Sequence, residues 1–207
     1  GVGDGDILLS TRQPDSTWAK PIAIPGVVNS SFYESSITIT KDESTIFFAS
    51  ERPGGLGGLD IYSCTKDKEG NWTNVKNLGP GVNTEYDDDA PFIDYDGKTL
   101  YFSSRGRKGM GGFDIFKTTL LDLEKKEWTE PENVGYPINT PDDDVFVVGT
   151  GTPNRFYFSS VRDGGYGYSD IYLISDLKSE PEVAKAPGKK GVQPIRFMVE
   201  IVDAETK

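Results

Sequence analysis

The stretch that decides the fold runs from Thr99 to Thr118. Thr99-Leu100-Tyr101-Phe102-Ser103-Ser104 is rich in aromatic and hydroxyl side chains, Arg105 to Gly112 is basic and glycine-rich, and Asp114-Ile115-Phe116-Lys117-Thr118 resumes an extended pattern. Side chains alternate across a strand, so Leu100 and Phe102 fall on one face and Tyr101 on the other. Two such runs around a glycine-containing loop read as an antiparallel pair. Working outward, Ala90 to Asp94 reads as a preceding strand, and Asp96-Gly97 supplies the hairpin turn between them. Trp128 to Val134 reads as a fourth strand before Asn139-Thr140 leads onward. Leu120 to Glu127, the one stretch with a hint of helix, reads as a longer hairpin loop.

The same unit recurs. Asp6-Ile7-Leu8, Asp60-Ile61-Tyr62, Asp114-Ile115-Phe116 and Asp170-Ile171-Tyr172 are separated by 54, 54 and 56 residues. Trp18, Trp72 and Trp128 keep step, as do Asn29, Asn83 and Asn139, and Phe48, Phe102 and Phe158. A helical solenoid would need long apolar stripes at a period of about 3.6, which are missing. A four-stranded antiparallel unit that repeats at about 50 residues is a propeller blade. The expected strands are two from Asp6 to Ile24, four in each of the next two units, and three from Val145 to Ile174. Propellers close with about 4–8 blades. The expectation is therefore an all-β chain, a β-propeller present as a partial ring of about 3 to 3.5 blades.

Composition agrees and removes several function classes. The 207 residues include 24 Gly, 13 Pro, 11 Phe, 10 Tyr and 3 Trp, the turn formers and flat side chains of many short strands. Lys and Arg number 22 against 33 Asp and Glu, a formal charge of −11, so a duplex or an anionic lipid surface would be repelled. There is no histidine, which removes Ser-His-Asp and Cys-His nucleophile systems and the usual zinc sets. Cys64 is the single cysteine, so no internal disulfide forms, and it reads as a small buried hydrophobe. No apolar run reaches membrane-spanning length, and Gly1 to Ser10 does not read as a signal peptide. Direct membrane insertion is not expected.

Phe48-Ala49-Ser50-Glu51-Arg52-Pro53-Gly54-Gly55-Leu56-Gly57-Gly58-Leu59-Asp60-Ile61-Tyr62, and Tyr101-Phe102-Ser103-Ser104 through Gly111-Gly112-Phe113-Asp114-Ile115-Phe116, resemble the PD40 repeat. This is the WD40-like, TolB-like propeller repeat, and the resemblance covers nearly all of residues 1–176. The last unit departs from it, with Pro153-Asn154 where Asp-Gly is expected and Tyr168-Ser169 in the Gly-Gly place. Residues 177–193 read as a linker. Residues 194–207 alternate like a strand and resemble the start of a carboxypeptidase-regulatory-like β-sandwich. The combination is similar to multidomain OmpA-family envelope proteins of Bacteroidetes, some of them in type IX secretion. That resemblance implies a periplasmic, outer-membrane-associated protein that contacts other envelope proteins, with peptidoglycan bound only through a downstream domain.

Blade topology puts the loops between second and third strands on one face with the blade-to-blade connections. That face gathers Glu34, Asp87, Asp88, Asp89, Asp142, Asp143 and Asp144 from the connections, and Arg52, Arg105, Arg107, Lys108 and Arg162 from the glycine-rich loops. One reading has these charges pairing between neighbouring loops and bonding turn amides. The other makes them an interaction face. No cofactor is expected, although the carboxylates offer hard oxygens to calcium; neither Asp triplet has the spaced pattern of a dedicated calcium loop. The repeated aspartates Asp6, Asp60, Asp114 and Asp170 are placed to accept amide bonds from the preceding loop. Gly55 to Gly58 and Gly109 to Gly112 lack the helix and Lys-Ser/Thr of a phosphate loop.

No catalytic residue is assigned. A glycan-binding or glycan-processing propeller is the alternative, because Thr65 to Trp72 resembles the Asp box of sialidases with its Gly displaced by one. It would require carboxylates at the propeller axis. A third reading is self-association, with two partial rings completing each other.

Overall fold

A computed structural model describes residues 5–175 and the backbone of Glu200–Ile201. The strands form four antiparallel sheets. A half-blade pairs β1 (Leu8–Leu9) with β2 (Ile22–Ala23). The first full blade orders β3 (Glu34–Ile39), β4 (Thr45–Ser50), β5 (Asp60–Lys66) and β6 (Trp72–Asn77). The second orders β7 (Asp88–Ile93), β8 (Thr99–Ser104) and β9 (Asp114–Asp122), followed by β10 (Glu127–Trp128) and β11 (Glu132–Asn133), both on β9. The third orders β12 (Asp144–Gly149), β13 (Arg155–Ser160) and β14 (Asp170–Ser175), and β15 (Glu200–Ile201) pairs with β14.

Among the described residues fifteen strands thus stand where the pattern leads one to count thirteen. The fourth strand of the second blade is interrupted near Pro131, which has no N–H for the ladder. The other extra strand is β15, whose Ile201 stands opposite Tyr172. The expected linker over 177–193 lies outside the described residues, as does the rest of the expected sandwich strand. Leu120 to Glu127 is a hairpin: β9 runs on to Asp122, and Lys126 turns the chain with φ 60°.

Every first strand carries a bulge that alternation does not reveal. The register slips between Glu34 and Ile37, between Asp89 and Phe92, and between Val145 and Val148. Ala90 and Phe146 accommodate it with φ of 51° and 59°. Neighbouring first strands are then tied by side chains: the Ala90 N–H donates to Ser36 Oγ at 3.1 Å and the Ile93 N–H to Thr38 Oγ1 at 3.3 Å. Such bonds occupy amides that an edge strand would otherwise offer to another chain.

The core lies between blades. One cluster joins Ile7, Ile24 and Val28 of the half-blade to Ile46, Phe48, Tyr62 and Cys64. The next joins Phe47, Ile61, Leu78 and Val82 to Ile93, Leu100, Phe102 and Phe116. The third sets Ile115 against Val147, Phe158 and Tyr172. Each blade meets its predecessor with one aromatic pair, Phe48–Tyr62, Phe102–Phe116 or Phe158–Tyr172, with centroids 5.9, 6.0 and 5.7 Å apart. Burying each such ring is worth roughly 1.5–3 kcal/mol. Trp128 packs edge-on to Phe47 and Trp72 packs on the first cluster, whereas Trp18 on the half-blade is exposed. Ile171 is 63% exposed although its counterparts Ile61 and Ile115 are 0% and 1% exposed. Among the described residues nothing packs on Ile171 as the next blade packs on its counterparts.

Candidate functional site

The loop face is built from three repeated devices. The first is an aspartate cap. Asp60 Oδ2 accepts the N–H of Leu56 at 2.7 Å and of Gly57 at 3.2 Å, Asp114 Oδ2 accepts those of Met110 and Gly111, and Asp170 Oδ2 accepts that of Tyr166. Close approach demands glycine here: a Cβ on Gly57 would lie 2.1 Å from the Tyr86 carbonyl oxygen. Burial raises the Asp60 carboxyl above its ordinary range, and Asp60 is 1% exposed.

The second device is an asparagine clamp. Asn83 Oδ1 accepts the Ile61 N–H at 2.8 Å while its Nδ2 donates to the Ile61 carbonyl at 2.9 Å, so one amide side chain imitates a neighbouring strand. Asn29 does this to Ile7, and Asn139 to Ile115.

The third is an arginine latch. Arg52 donates from Nε to Ser50 Oγ, from its terminal nitrogens to the Val27 and Val28 carbonyls, and to Glu34 at 3.3 Å. Its guanidinium stacks 4.8 Å from the Phe48 centroid. Arg162 repeats this with Ser160, Pro137, Ile138 and Asp144, and Arg107 bonds the Gly81 and Val82 carbonyls. The carboxylates of the latch cap the connections as well. Ser30, Thr84 and Thr140 each donate N–H and hydroxyl bonds to Glu34, Asp88 and Asp144 respectively. Burial pushes the Asp88 carboxyl up to about 6 and raises that of Asp144. Burial likewise lowers Arg107, against the pull of Asp88 and Glu130.

These devices revise the expected charged face. Glu34, Asp88 and Asp144 are 3%, 0% and 0% exposed, and Arg52, Arg107 and Arg162 are spent on carbonyls of the preceding connection. Their charges are interior latches, because a desolvated carboxylate must keep its partners. Asp87 and Asp143 accept the N–H groups of Leu59 and Phe113, and Asp89 takes hydroxyl bonds from Ser35 and Ser36. Arg105 lies on the surface, 3.3 Å from Asp143 and stacked on Phe113 at 4.4 Å. Asp142 and Lys108 are exposed. Among the described residues no three His, Cys, Asp or Glu side chains gather as a group that could hold a metal ion.

Alignment of the repeats by structure shows what the charge reading missed. The residue that donates to each aspartate cap is Leu56, Met110 or Tyr166, and these are 44%, 46% and 83% exposed. On the first two connections Phe32 and Tyr86, 42% and 56% exposed, hold equivalent places, each N–H bonded to the Ser30 or Thr84 hydroxyl, and on the third Asp142 stands there, its N–H bonded to the Thr140 hydroxyl. An apolar residue four before each repeated Asp, inside a glycine-rich loop, was the available signal.

The axis side is a groove of about 470 Å³ bordered by β3, β7 and β12. Ile37, Ile39, Phe146 and Val148 are exposed there, and the groove's carboxylates, Glu43 and Asp94, lie in hairpin turns. The Asp-box-like turn is self-contained: Asp67 Oδ1 accepts the N–H groups of Glu69 and Asn71.

TolB from Acinetobacter baumannii superposes on this arrangement with a TM-score of 0.50 at 19% identity, over 84% of this chain and 36% of that one. The fold is a TolB-like partial propeller. The propeller segment thus spans about a third of that protein's length. A puromycin hydrolase S511A mutant complexed with PGG is a more distant likeness, with a TM-score of 0.39 and 9% identity over 77% of this chain and 29% of that one. No protein-family description and no curated protein matches the sequence.

Proposed function

We propose that this chain is part of a non-enzymatic propeller scaffold that binds other proteins through its loop face. One observation carries the reading: the described loops on that face are held internally by a cap, a clamp or a latch, while the tips of Leu56, Met110 and Tyr166 stay free. Such a surface is preorganised, so binding does not have to meet the entropy of ordering its loops. The resemblance of the repeat, taken together with residues 194–207, to OmpA-family envelope proteins is what supports a periplasmic, outer-membrane-associated setting, with envelope proteins as partners and a role in type IX secretion.

Photo-crosslinking from position 86 or 110 of the parent protein in living cells tests this, with position 96 in a hairpin turn as the opposite-face control. Adducts with envelope proteins from 86 or 110 alone are the expected result. Adducts from position 96 alone, or from none of these positions, overturn it.

A second reading is favoured by the exposure of Ile171, which self-association into a fuller ring would cover. A monomeric mass at high concentration removes that reading.

A further inference from the structure

We infer that Phe32, Leu56, Tyr86, Met110 and Tyr166 form one docking arc, whose partner is a protein segment with apolar anchors flanked by lysines or arginines. The inference rests on the scaffold reading and names the site and the chemistry of its partner.

The five residues interleave along the loop face. The glycine after Leu56 abuts the Tyr86 carbonyl, and the glycine after Met110 abuts that of Pro141, so loop tips and connections alternate shoulder to shoulder. At the three loop-tip positions the fold demands only the backbone N–H, which goes to the cap at 2.7, 2.8 and 2.9 Å. The side chain is left unconstrained, and a polar residue would serve the cap equally well. Instead the positions hold Leu, Met and Tyr, each outside the three inter-blade core clusters. Exposed apolar groups held on rigid backbone mark interaction sites, and Tyr and Met are enriched where proteins meet.

Charge selects the partner. The exposed charges on the same loops are Glu51, Glu85, Asp142 and Asp163 against Arg105 and Lys108, and Arg105 is paired with Asp143. The surplus is negative, on a chain of net charge −11. Nucleic acid and anionic lipid are repelled, and a second copy would bring the same acids to the same face. A polypeptide with apolar anchors and cationic flanks satisfies all of these conditions.

The test is selection from a displayed library of random peptides on the whole chain, followed by affinity measurement with the wild type, the Leu56→Ser/Met110→Ser double variant and a Phe146→Ser control in the axis groove. The exposed arc substitutions should leave the melting temperature unchanged. The expected result is enrichment of peptides that combine aromatic or aliphatic residues with Lys or Arg. Their affinity should fall at least about 10-fold in the double variant, as loss of one interfacial anchor implies. It should weaken with added salt and be unchanged by Phe146→Ser. Peptides that bind the double variant as tightly as the wild type overturn the arc and leave the scaffold reading standing. Enrichment of acidic peptides overturns the charge argument, and enrichment of none overturns both arc and scaffold.

Discussion

Replacing Asn83 with alanine should cost about 3 kcal/mol, and the structure shows where each part of that arises. Asn83 is 1% exposed and makes three bonds: it accepts from the Ile61 N–H, and it donates to the Ile61 carbonyl and to Asn77 Oδ1. The Ile61 carbonyl keeps a second donor in the Leu78 N–H, and Asn77 Oδ1 keeps the Gly79 N–H. Only the Ile61 N–H is orphaned outright, and an orphaned buried donor costs roughly 1–3 kcal/mol. The two thinned acceptors add about 0.5 kcal/mol each, at the low end for a net hydrogen bond. Urea unfolding of the wild type and variant measures the total, and amide exchange at Ile61 locates it. The half-blade supplies an internal comparison. Asn29 makes the same pair of bonds to Ile7 but is only half-buried, and Ala23 stands where a third partner would be, so Asn29→Ala should cost about half as much. A cost below about 1 kcal/mol for Asn83→Ala, or an unchanged Ile61 exchange rate, would refute the claim that the amide substitutes for a strand.

Three further outcomes follow from the same geometry. The folded carboxyl of Asp88 is raised to about 6, above its unfolded value, so the native chain holds the extra proton between about pH 4 and 6 and this contribution to stability is lost as pH rises through that window. The melting temperature should therefore fall more steeply from pH 4.5 to 7.5 in the wild type than in Asp88→Asn, and equal slopes in differential scanning fluorimetry would count against a buried titrating Asp88. Gly57→Ala should destabilise by about 2 kcal/mol because its Cβ meets a backbone carbonyl, whereas Gly81→Ala, with open space around it, should change stability by less than about 0.5 kcal/mol in urea. The Cys64 thiol is buried and pushed up to about 11, so a disulfide reagent at pH 8 should label it only after unfolding; rapid labelling of the native chain would contradict that burial.

The repeat made the architecture legible, because each landmark obeys a local rule. Asp-Ile-aromatic marks the third strand, Asp96-Gly97 turns a hairpin with Gly97 at φ 69°, and the 54-residue step brings like positions to like places. What alternation could not show was the bulge in each first strand. A one-residue slip leaves composition untouched and is carried by ordinary residues such as Ala90 and Phe146. The sequence offered two roles for the charged residues, pairing between neighbouring loops or an interaction face, and spacing alone did not choose between them. Whether Asp88 faces a partner or Arg107 depends on burial between blades, a tertiary property that no spacing records.

The same distinction explains why the candidate site moved from charge to apolar surface. A carboxylate such as Asp144, fully buried and engaged by Thr140, Ser160 and Arg162, cannot be lent to a partner without breaking bonds inside the blade. Its recurrence from blade to blade reflects a recurring structural task. At position 56, 110 or 166 the structural task is done by the backbone alone, so nothing in the fold selects the side chain. The structure imposes no choice there, and an exposed apolar residue still stands in all three places, which is the ground for the docking arc. Replacing the three by serine should accordingly leave the caps and the stability intact while removing whatever the arc holds.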